Sequence, residues 1–354
     1  GELTLIASNF EIRGQEDVVH NLIISGRRNN IYGGKLDDKV EESDSENCYI
    51  NYIYGGEGND TIILRATASV GYGEAGDDLL TAYTGSLNGG TGEDIFNIYA
   101  GYVVHHGGAG NDIFNIYGVS NKIYGDDGDD IFNIIQGGSN TIDGGTGTNT
   151  VTGTVGTNTT INVIGANSGS VSLTKGVEQV VNINGIDYTM STESTTATVI
   201  YSINDSGQIT FSMSSNQAII RGDLNKKHNV SIKAGITFYG GNKGDIIDAH
   251  GATIYLGSGN NTLKAFGTTI YGSSGNDTVS ITDGSFFYGG TGITNLTARS
   301  LNYIESVSGT MNLSLYGDNN TVYGTGGNNT LVSNTRPNNF ISGFGDADNA
   351  QALS

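Results

Sequence analysis

Apolar and polar residues alternate along most of this chain, and glycine turns break the alternation at nearly even intervals. Just before many of the turns stands an apolar residue followed by an aromatic one: Ile31-Tyr32, Ile53-Tyr54, Ile123-Tyr124, Phe238-Tyr239, Ile254-Tyr255, Ile270-Tyr271, Phe287-Tyr288 and Val322-Tyr323. Neighbours in a strand point to opposite faces, so the first column is expected to stack inside and the tyrosines to form an outer ladder. A second short run follows the turns of the first half, with Ile62, Leu80, Phe96, Phe114 and Phe132 at equivalent places, and these five are assigned to the same core. Two strands and two turns in about 18 residues make one coil of a repeat architecture. The pattern predicts an all-β fold: a right-handed parallel β-roll or β-solenoid in two blocks, with a β-rich segment between them.

The turns carry the chemistry. Six stretches between residues 33 and 130 place an acid at their sixth position: GGKLDDKVE from Gly33, GGEGNDTII from Gly55, GEAGDDLLT from Gly73, GGTGEDIFN from Gly89, GGAGNDIFN from Gly107 and GDDGDDIFN from Gly125. The acids are Asp38, Asp60, Asp78, Asp94, Asp112 and Asp130, spaced 22, 18, 16, 18 and 18 residues apart. One turn per coil carries this signature, so the carboxylates should line one rim. Adjacent coils lie about 4.8 Å apart. At an effective dielectric of about 20, each like-charge contact at that distance costs roughly 3 kcal/mol, and a hard divalent cation removes the penalty. Calcium takes about six to eight oxygen ligands in flexible geometry, and a glycine loop offers main-chain carbonyls beside each carboxylate; magnesium demands stricter octahedra. Zinc is disfavoured because the loops supply neither Cys nor His.

The repeat resembles the nonapeptide GGxGxDxUx of the RTX family, where U is a large apolar residue. The resemblance is specific over the first array and partial in the second half. It implies a calcium-loaded β-roll in which each ion lies between the turns of successive coils. Its ligands would be the sixth-position aspartates together with loop carbonyls such as those of Gly55 and Gly58, Gly73 and Gly76, Gly89 and Gly92, Gly107 and Gly110, and Gly125 and Gly128. It further implies folding coupled to calcium, with the chain kept unfolded in a low-calcium cytosol, passed through a type I secretion channel and folded outside the cell. The stretch DADNAQALS does not convincingly match that family's C-terminal export signal.

A second array begins at Gly240 with a tighter spacing of 16 or 17 residues, and its sixth positions read Asp245, Asn261, Asp277, Thr294, Asn329 and Asp348, with a degenerate coil around Ser308 to Leu315. Asp245 and Asp277 are the ligand candidates there. Asn can stack in ladders through its side chain, so these coils are expected to hold fewer or weaker ions. The fifth-position acids Asp37, Asp77, Glu93 and Asp129 are either extra ligands or solvated charge, and the reading favoured is solvated charge. Between the arrays, ATVIYSI and QITFSMS flank Asn204-Asp205-Ser206-Gly207 and predict a β-hairpin. The run SNFEIRGQEDVVHNLIISG from Ser8 recurs as SNQAIIRGDLNKKHNVSIKAG from Ser215, matching Ile12 with Ile220, Arg13 with Arg221, Gly14 with Gly222, His20 with His228 and Asn21 with Asn229. GELTLIAS likewise matches GQITFSMS. The expected organisation is a leader or cap over 1–32, a calcium-binding β-roll over 33–150, a β-rich linker or small domain over 151–207, a repeated leader over 208–239 and an Asn-rich solenoid block over 240–354. Such duplication points to a segment of a longer protein built from these units.

Composition narrows the function. A formal charge of −20, from 36 acidic and 16 basic residues, disfavours nucleic acid and anionic membranes as partners and favours cations. The single Cys48 cannot form an internal disulfide, no run of about 18 apolar residues offers a membrane span, and the first residues lack the pattern of a secretory signal. No catalytic motif is present, and the nearest clusters, Asp248 with His250 and His105 with His106, are read as surface and packing pairs. Arg221-Gly222-Asp223 is matched by Arg13-Gly14-Gln15, so the tripeptide belongs to the leader. The expectation is a non-enzymatic, extracellular, calcium-binding segment of a secreted or surface bacterial protein, toxin or adhesin. The alternatives are a polysaccharide lyase or epimerase on a parallel β-helix, or a module that binds a host or bacterial surface glycan.

Overall fold

The computed structural model describes residues 3–44, 48–136, 138–154, 160–164, 166–306, 308–324, 327–334, 338–343 and 349–353. Among them there is no helix, and the chain is a parallel β-solenoid. It divides into two compact units, one of residues 1–172 and 179–185, the other of 173–178 and 186–354.

In the first unit, each strand pairs in parallel with its equivalent one coil further on. Leu79–Ala82, Ile95–Ile98, Ile113–Ile116 and Ile131–Ile134 stack in register, so that Leu80, Phe96, Phe114 and Phe132 form one column. The opposite sheet stacks Asn30–Tyr32, Tyr52–Glu57, Val70–Ala75, Ser86–Thr91, Val104–Ala109 and Lys122–Asp127. Strand alternation puts the apolar columns inside, as the doublets required: Ile31, Ile53, Ile62, Leu80, Phe96, Phe114 and Phe132 have no exposed surface. Each such side chain contributes about 1.5–3 kcal/mol on burial. In-register stacking also sets the rings of Phe96, Phe114 and Phe132 face to face at 4.4 and 4.8 Å. Where the column has no side chain, at Gly71, Ile62 and Leu87 close over the gap. Coil stacking continues past the last acidic turn, from Asn149–Thr154 onto residues 166–172.

His105 occupies an inward position in this column and His106 an outward one. Burial drives the His105 imidazole down to about 3, so it is neutral, and its Nδ1 accepts the Leu87 N–H at 3.3 Å. His106 stacks on Tyr124 at 4.7 Å. The outer ladder runs through Tyr32, Tyr54 and Tyr72 at 4.8 and 4.9 Å. A second outer ladder, Tyr83, Tyr99 and Tyr117, lies just past the ends of the other sheet's strands and has no counterpart among the doublets.

The second unit opens on antiparallel pairs. Thr196–Ile203 and Ile209–Ser215 form the expected hairpin, closed by the Gly207 N–H on the Asn204 carbonyl. Ile186–Ser191 runs antiparallel to Ala218–Gly222. From there the coils are parallel, and Tyr239, Tyr255, Tyr271 and Tyr288 stack outside them. The degenerate coil is regular in the structure: Thr310–Leu315 pairs in register with Ile293–Ala298, and buried Met311 takes the place of the turn residue Thr294.

Candidate functional site

Each acidic turn must resolve two main-chain N–H groups that the sheets cannot pair. The fourth-position glycines adopt positive φ, +133° at Gly92 and Gly110, which L side chains rarely tolerate. The next two N–H groups then find partners on opposite coils. The sixth-position N–H donates to the aspartate of the following coil, making a ladder: Asp38 to Asp60 Oδ1 at 2.7 Å, Asp60 to Asp78 at 2.7, Asp78 to Asp94 at 2.8, Asp94 to Asp112 at 2.9, Asp112 to Asp130 at 2.9 and Asp130 to Asn149 at 2.8. The fifth-position N–H donates to the preceding coil: Asn59 to Asp37 at 2.8 Å, Asp77 to Asn59 at 3.0, Glu93 to Asp77 at 2.9, Asp129 to Asn111 at 2.8 and Thr148 to Asp129 at 2.6. Exposed Asp37, Asp77 and Asp129 are therefore acceptors that tie one coil to the next, a role that their reading as solvated charge left out.

The ladder uses only one oxygen of each buried aspartate. Oδ2 of Asp60, Asp78, Asp94, Asp112 and Asp130 is buried without a hydrogen-bond partner. In each case it stands over the first glycine of its own turn. A Cβ on Gly55, Gly73, Gly89, Gly107 or Gly125 would lie 2.2, 2.0, 2.1, 2.2 or 2.1 Å from that oxygen. From the same points the first-glycine carbonyl oxygen of the following coil is 2.7, 2.6, 2.5, 2.6 or 2.7 Å away. Five equivalent gaps are thus flanked by a carboxylate oxygen and a carbonyl oxygen.

Electrostatics follow from this arrangement. Burial, reinforced by neighbouring carboxylates, pushes Asp60, Asp78 and Asp112 up to about 7 and Asp94 and Asp130 up to about 6. The unit does satisfy a buried carboxylate elsewhere. Glu42, with no exposed surface, accepts from Asn51 Nδ2 at 2.9 Å, Ser69 Oγ at 2.7 Å, and the N–H groups of Arg65 and Ala66 at 3.0 and 2.8 Å.

Where the ladder ends, the distal atom changes. Asn149 puts an NH2 where the aspartates have Oδ2, and it donates to the carbonyls of Gly144 at 2.7 Å and Thr146 at 3.0 Å. Asn261 does the same in the second unit, to Gly257 at 3.0 Å and Gly259 at 2.8 Å, and also to Asp277 Oδ1 at 2.9 Å. The amide accordingly bonds main chain as well as side chain, more than the side-chain ladder expected of these asparagines.

The remaining aspartates have both oxygens bonded. Asp38 Oδ1 accepts from His20 N and Nδ1 at 2.6 and 3.0 Å, and its Oδ2 accepts from Gly34 N at 2.7 Å. Asp245 repeats this with His228 N and Nδ1, both at 2.9 Å, and Gly241 N at 2.8 Å. Asp277 takes Asn261 N at 3.1 Å on Oδ1 and Ser273 Oγ at 3.2 Å on Oδ2. Asp348 lies outside the described residues.

The repeated leader thus acquires a task. Its histidine caps the first carboxylate of each array, and its glycine, Gly14 or Gly222, makes room for that imidazole: a Cβ there would meet the ring at 2.6 or 2.5 Å. Its arginine lies on the first tyrosine of the outer ladder, Arg13 on Tyr32 and Arg221 on Tyr239. A second polar ladder at another turn was also unread, although its spacing matches the acidic one: Asn29 N–H to Asn51, Asn51 to Ser69, and Asn121 to Asn140 in the first unit, with Ser285, Asn302 and Asn320 in the second.

Among the described residues no three or more His, Cys, Asp or Glu side chains gather as a metal cluster. Any cation on the rim would draw most of its ligands from main-chain carbonyls. Asp248 and His250 lie 3.3 Å apart, each about half exposed, on a sheet surface where Lys264 is the register neighbour of Asp248. No family model matches the chain, and no curated protein shows significant sequence similarity to it.

Proposed function

We propose that this chain is a calcium-stabilised β-roll segment of a secreted or surface protein of the RTX kind, structural rather than enzymatic in its work. The observation that carries the reading is the set of five buried Oδ2 atoms of Asp60, Asp78, Asp94, Asp112 and Asp130, each without a donor and beside a carbonyl of the next coil. Asn149 supplies the control within the same ladder, since its NH2 provides the positive end that the aspartates lack. A buried carboxylate oxygen that meets a carbonyl oxygen and no donor calls for a proton or a cation, and a carbonyl-rich oxygen set suits calcium.

In this reading calcium supplies positive charge along the rim, and the aspartates with the first-position glycines hold it. Asp38, Asp245 and Asp277 are held by hydrogen bonds instead, so the dependence on calcium is concentrated in the first unit. An ion that binds only the folded coils stabilises them by about 2.7 kcal/mol at a concentration one hundred times its dissociation constant. Five such rungs couple folding to external calcium, which fits export of an unfolded chain followed by folding outside the cell.

The test is a calcium titration of the full chain, followed by far-ultraviolet circular dichroism and thermal unfolding, beside a variant with all five aspartates changed to Asn. Calcium should raise the midpoint of the parent and leave the variant nearly unmoved. A parent whose midpoint is the same in chelator and in millimolar calcium would refute the reading.

A further inference from the structure

One stretch of the first unit's sheet surface is free of charge. The strands Leu79–Ala82, Ile95–Ile98, Ile113–Ile116, Ile131–Ile134 and Asn149–Thr154 contain no Asp, Glu, Lys, Arg or His, in a chain of formal charge −20. Their first outward column runs from Leu79 through Ile95, Ile113 and Ile131, and their second from Thr81 through Asn97, Asn115, Asn133 and Thr152. A third column follows the strand ends through Tyr83, Tyr99, Tyr117 and Ile135, whose N–H groups each donate to the preceding coil. Leu79, Ile95, Ile131, Tyr83, Tyr99 and Ile135 are 39–46% exposed. Arg65, over the ring of Tyr83, marks one end of the neutral stretch. The exposed acids Asp77, Glu93 and Asp129 precede the first column by two residues, on the side away from the third. In the second unit the middle of the same kind of strand carries Asp248 beside Lys264, so neutrality is no requirement of the coil.

The middle column is a hydrogen-bonded rank. Asn115 Nδ2 donates to Asn97 Oδ1 and Asn133 Nδ2 to Asn115 Oδ1, both at 3.1 Å, and Thr152 Oγ1 donates to Asn133 Oδ1 at 2.8 Å. A carboxamide has two N–H groups and two oxygen lone pairs. The rank uses one of each at Asn115 and at Asn133, so each keeps one N–H and one lone pair to offer outward, from a side chain already held in place. Beside them the third column steps down from the ring of Tyr117 to Ile135. There a groove of about 420 Å³ opens, and Asn115, Asn133, Ile135, Thr152, Ser170 and Ser172 line it.

We propose that this groove binds a neutral polysaccharide built as a flat ribbon of equatorially linked pyranose rings. Each ring of such a ribbon has C–H groups on its faces, which suit the Ile and Tyr side chains, and hydroxyls at its rim that both donate and accept. The spare N–H and lone pair of each carboxamide match such hydroxyls, and their prior immobilisation lowers the entropy cost of binding. The columns run straight from coil to coil, so a straight ribbon can follow them. A charged polymer would find no counter-charge on these strands. The face is also too small for a second copy of the chain. Five strands about 4.8 Å apart, each about five residues long, span about 20 by 16 Å, or roughly 300 Å². A stable protein interface takes roughly 800 Å² from each partner, and two chains of charge −20 repel.

The test is isothermal titration calorimetry of the full chain, in calcium, with cellohexaose, chitohexaose and maltohexaose. Cellohexaose or chitohexaose should bind, and which of the two binds more tightly identifies the sugar. Maltohexaose, a neutral hexamer whose axial linkages coil it, should bind weaker by about tenfold or more. Asn133→Asp removes the spare N–H and adds a charge, and should weaken binding by about tenfold or more. Ile135→Glu, at a side chain 46% exposed, should do the same while circular dichroism shows the coils intact. Heat from neither flat hexamer would overturn the proposal. So would equal binding of maltohexaose, or binding that survives Ile135→Glu in a folded chain. No acidic turn is altered in these variants, so the calcium dependence of folding is read separately and a failure here leaves it standing.

Discussion

The distal carboxylate oxygen of Asp112 stands over Gly107, 2.2 Å from where a methyl group on that glycine would lie, and the Gly125 carbonyl oxygen is 2.6 Å from the same point. Glycine at the head of the turn and aspartate at its sixth position are therefore one device. The absent side chain makes the space, and the carboxylate and the next coil's carbonyl line it.

Filling that space is the most direct perturbation. Gly107→Ala should destabilise the first unit by roughly 3 kcal/mol, the upper end of overpacking costs, and should lower calcium stoichiometry measured by isothermal titration calorimetry. Gly267→Ala, at φ +55° with no atom within 4 Å of the added Cβ, should cost only about 1 kcal/mol and leave the stoichiometry alone.

Changing the carboxylate to an amide should have opposite effects in the two conditions. Asp112→Asn gives that rung the donor that Asn149 has, so thermal unfolding in chelator should move to higher temperature. Calcium stoichiometry should fall by about one ion, because the rung no longer lacks positive charge. A variant that loses stability in chelator would show that the unpaired Oδ2 is not the source of instability.

The pH dependence in chelator follows from the raised carboxyls. Asp60, Asp78 and Asp112 sit at about 7, and Asp94 and Asp130 at about 6, against an ordinary 3.8. An acid whose folded value exceeds its unfolded one contributes fully below the unfolded value, and that contribution is lost as the pH rises through the folded value. The ion-free first unit should therefore be more stable at about pH 5 than at about pH 8, with the loss running from about 4, where the unfolded carboxyls ionise, to about 6 or 7, where the folded ones do. In calcium, acidification should instead release ions as protons compete for the same oxygens. Chemical denaturation across pH, with and without chelator, reads both trends.

The caps can be tested separately from the rim. His228 donates to Asp245 at 2.9 Å and packs edge-on against Tyr188 and Phe238 at 5.5 and 6.1 Å. His228→Ala removes the bond and leaves a cavity, and should cost roughly 3 kcal/mol or more, seen as faster amide exchange in the second unit with calcium stoichiometry unchanged. His20→Ala, at a side chain 16% exposed, should cost less.

Much of this was legible along the chain, for particular reasons. Ile31 and Tyr32 announce opposite faces because strand direction alternates residue by residue, and Asp94, Asp112 and Asp130 announce a shared rim because equal spacing brings them to the same corner of successive coils. The meaning of His20 was not legible. Its recurrence at His228 marked it, but its bond to Asp38 crosses from one coil to the next. Asp38 and Asp60 hold the same sixth position, and Leu36 in place of Gly58 at the fourth position of the Asp38 turn did not by itself tell how their second oxygens would differ. Asp38 gains Gly34 N–H on its second oxygen, whereas Asp60 does not.

Period, facing and the placement of carboxylates on one edge are local properties, set by covalent geometry and by the count of residues per coil, so the order of amino acids was enough to establish them. Which oxygens are satisfied and which carboxylate oxygens stand without a donor depend on what the neighbouring coil presents a few ångströms away. Those are contacts between residues distant along the chain, and only the folded stack brings them together.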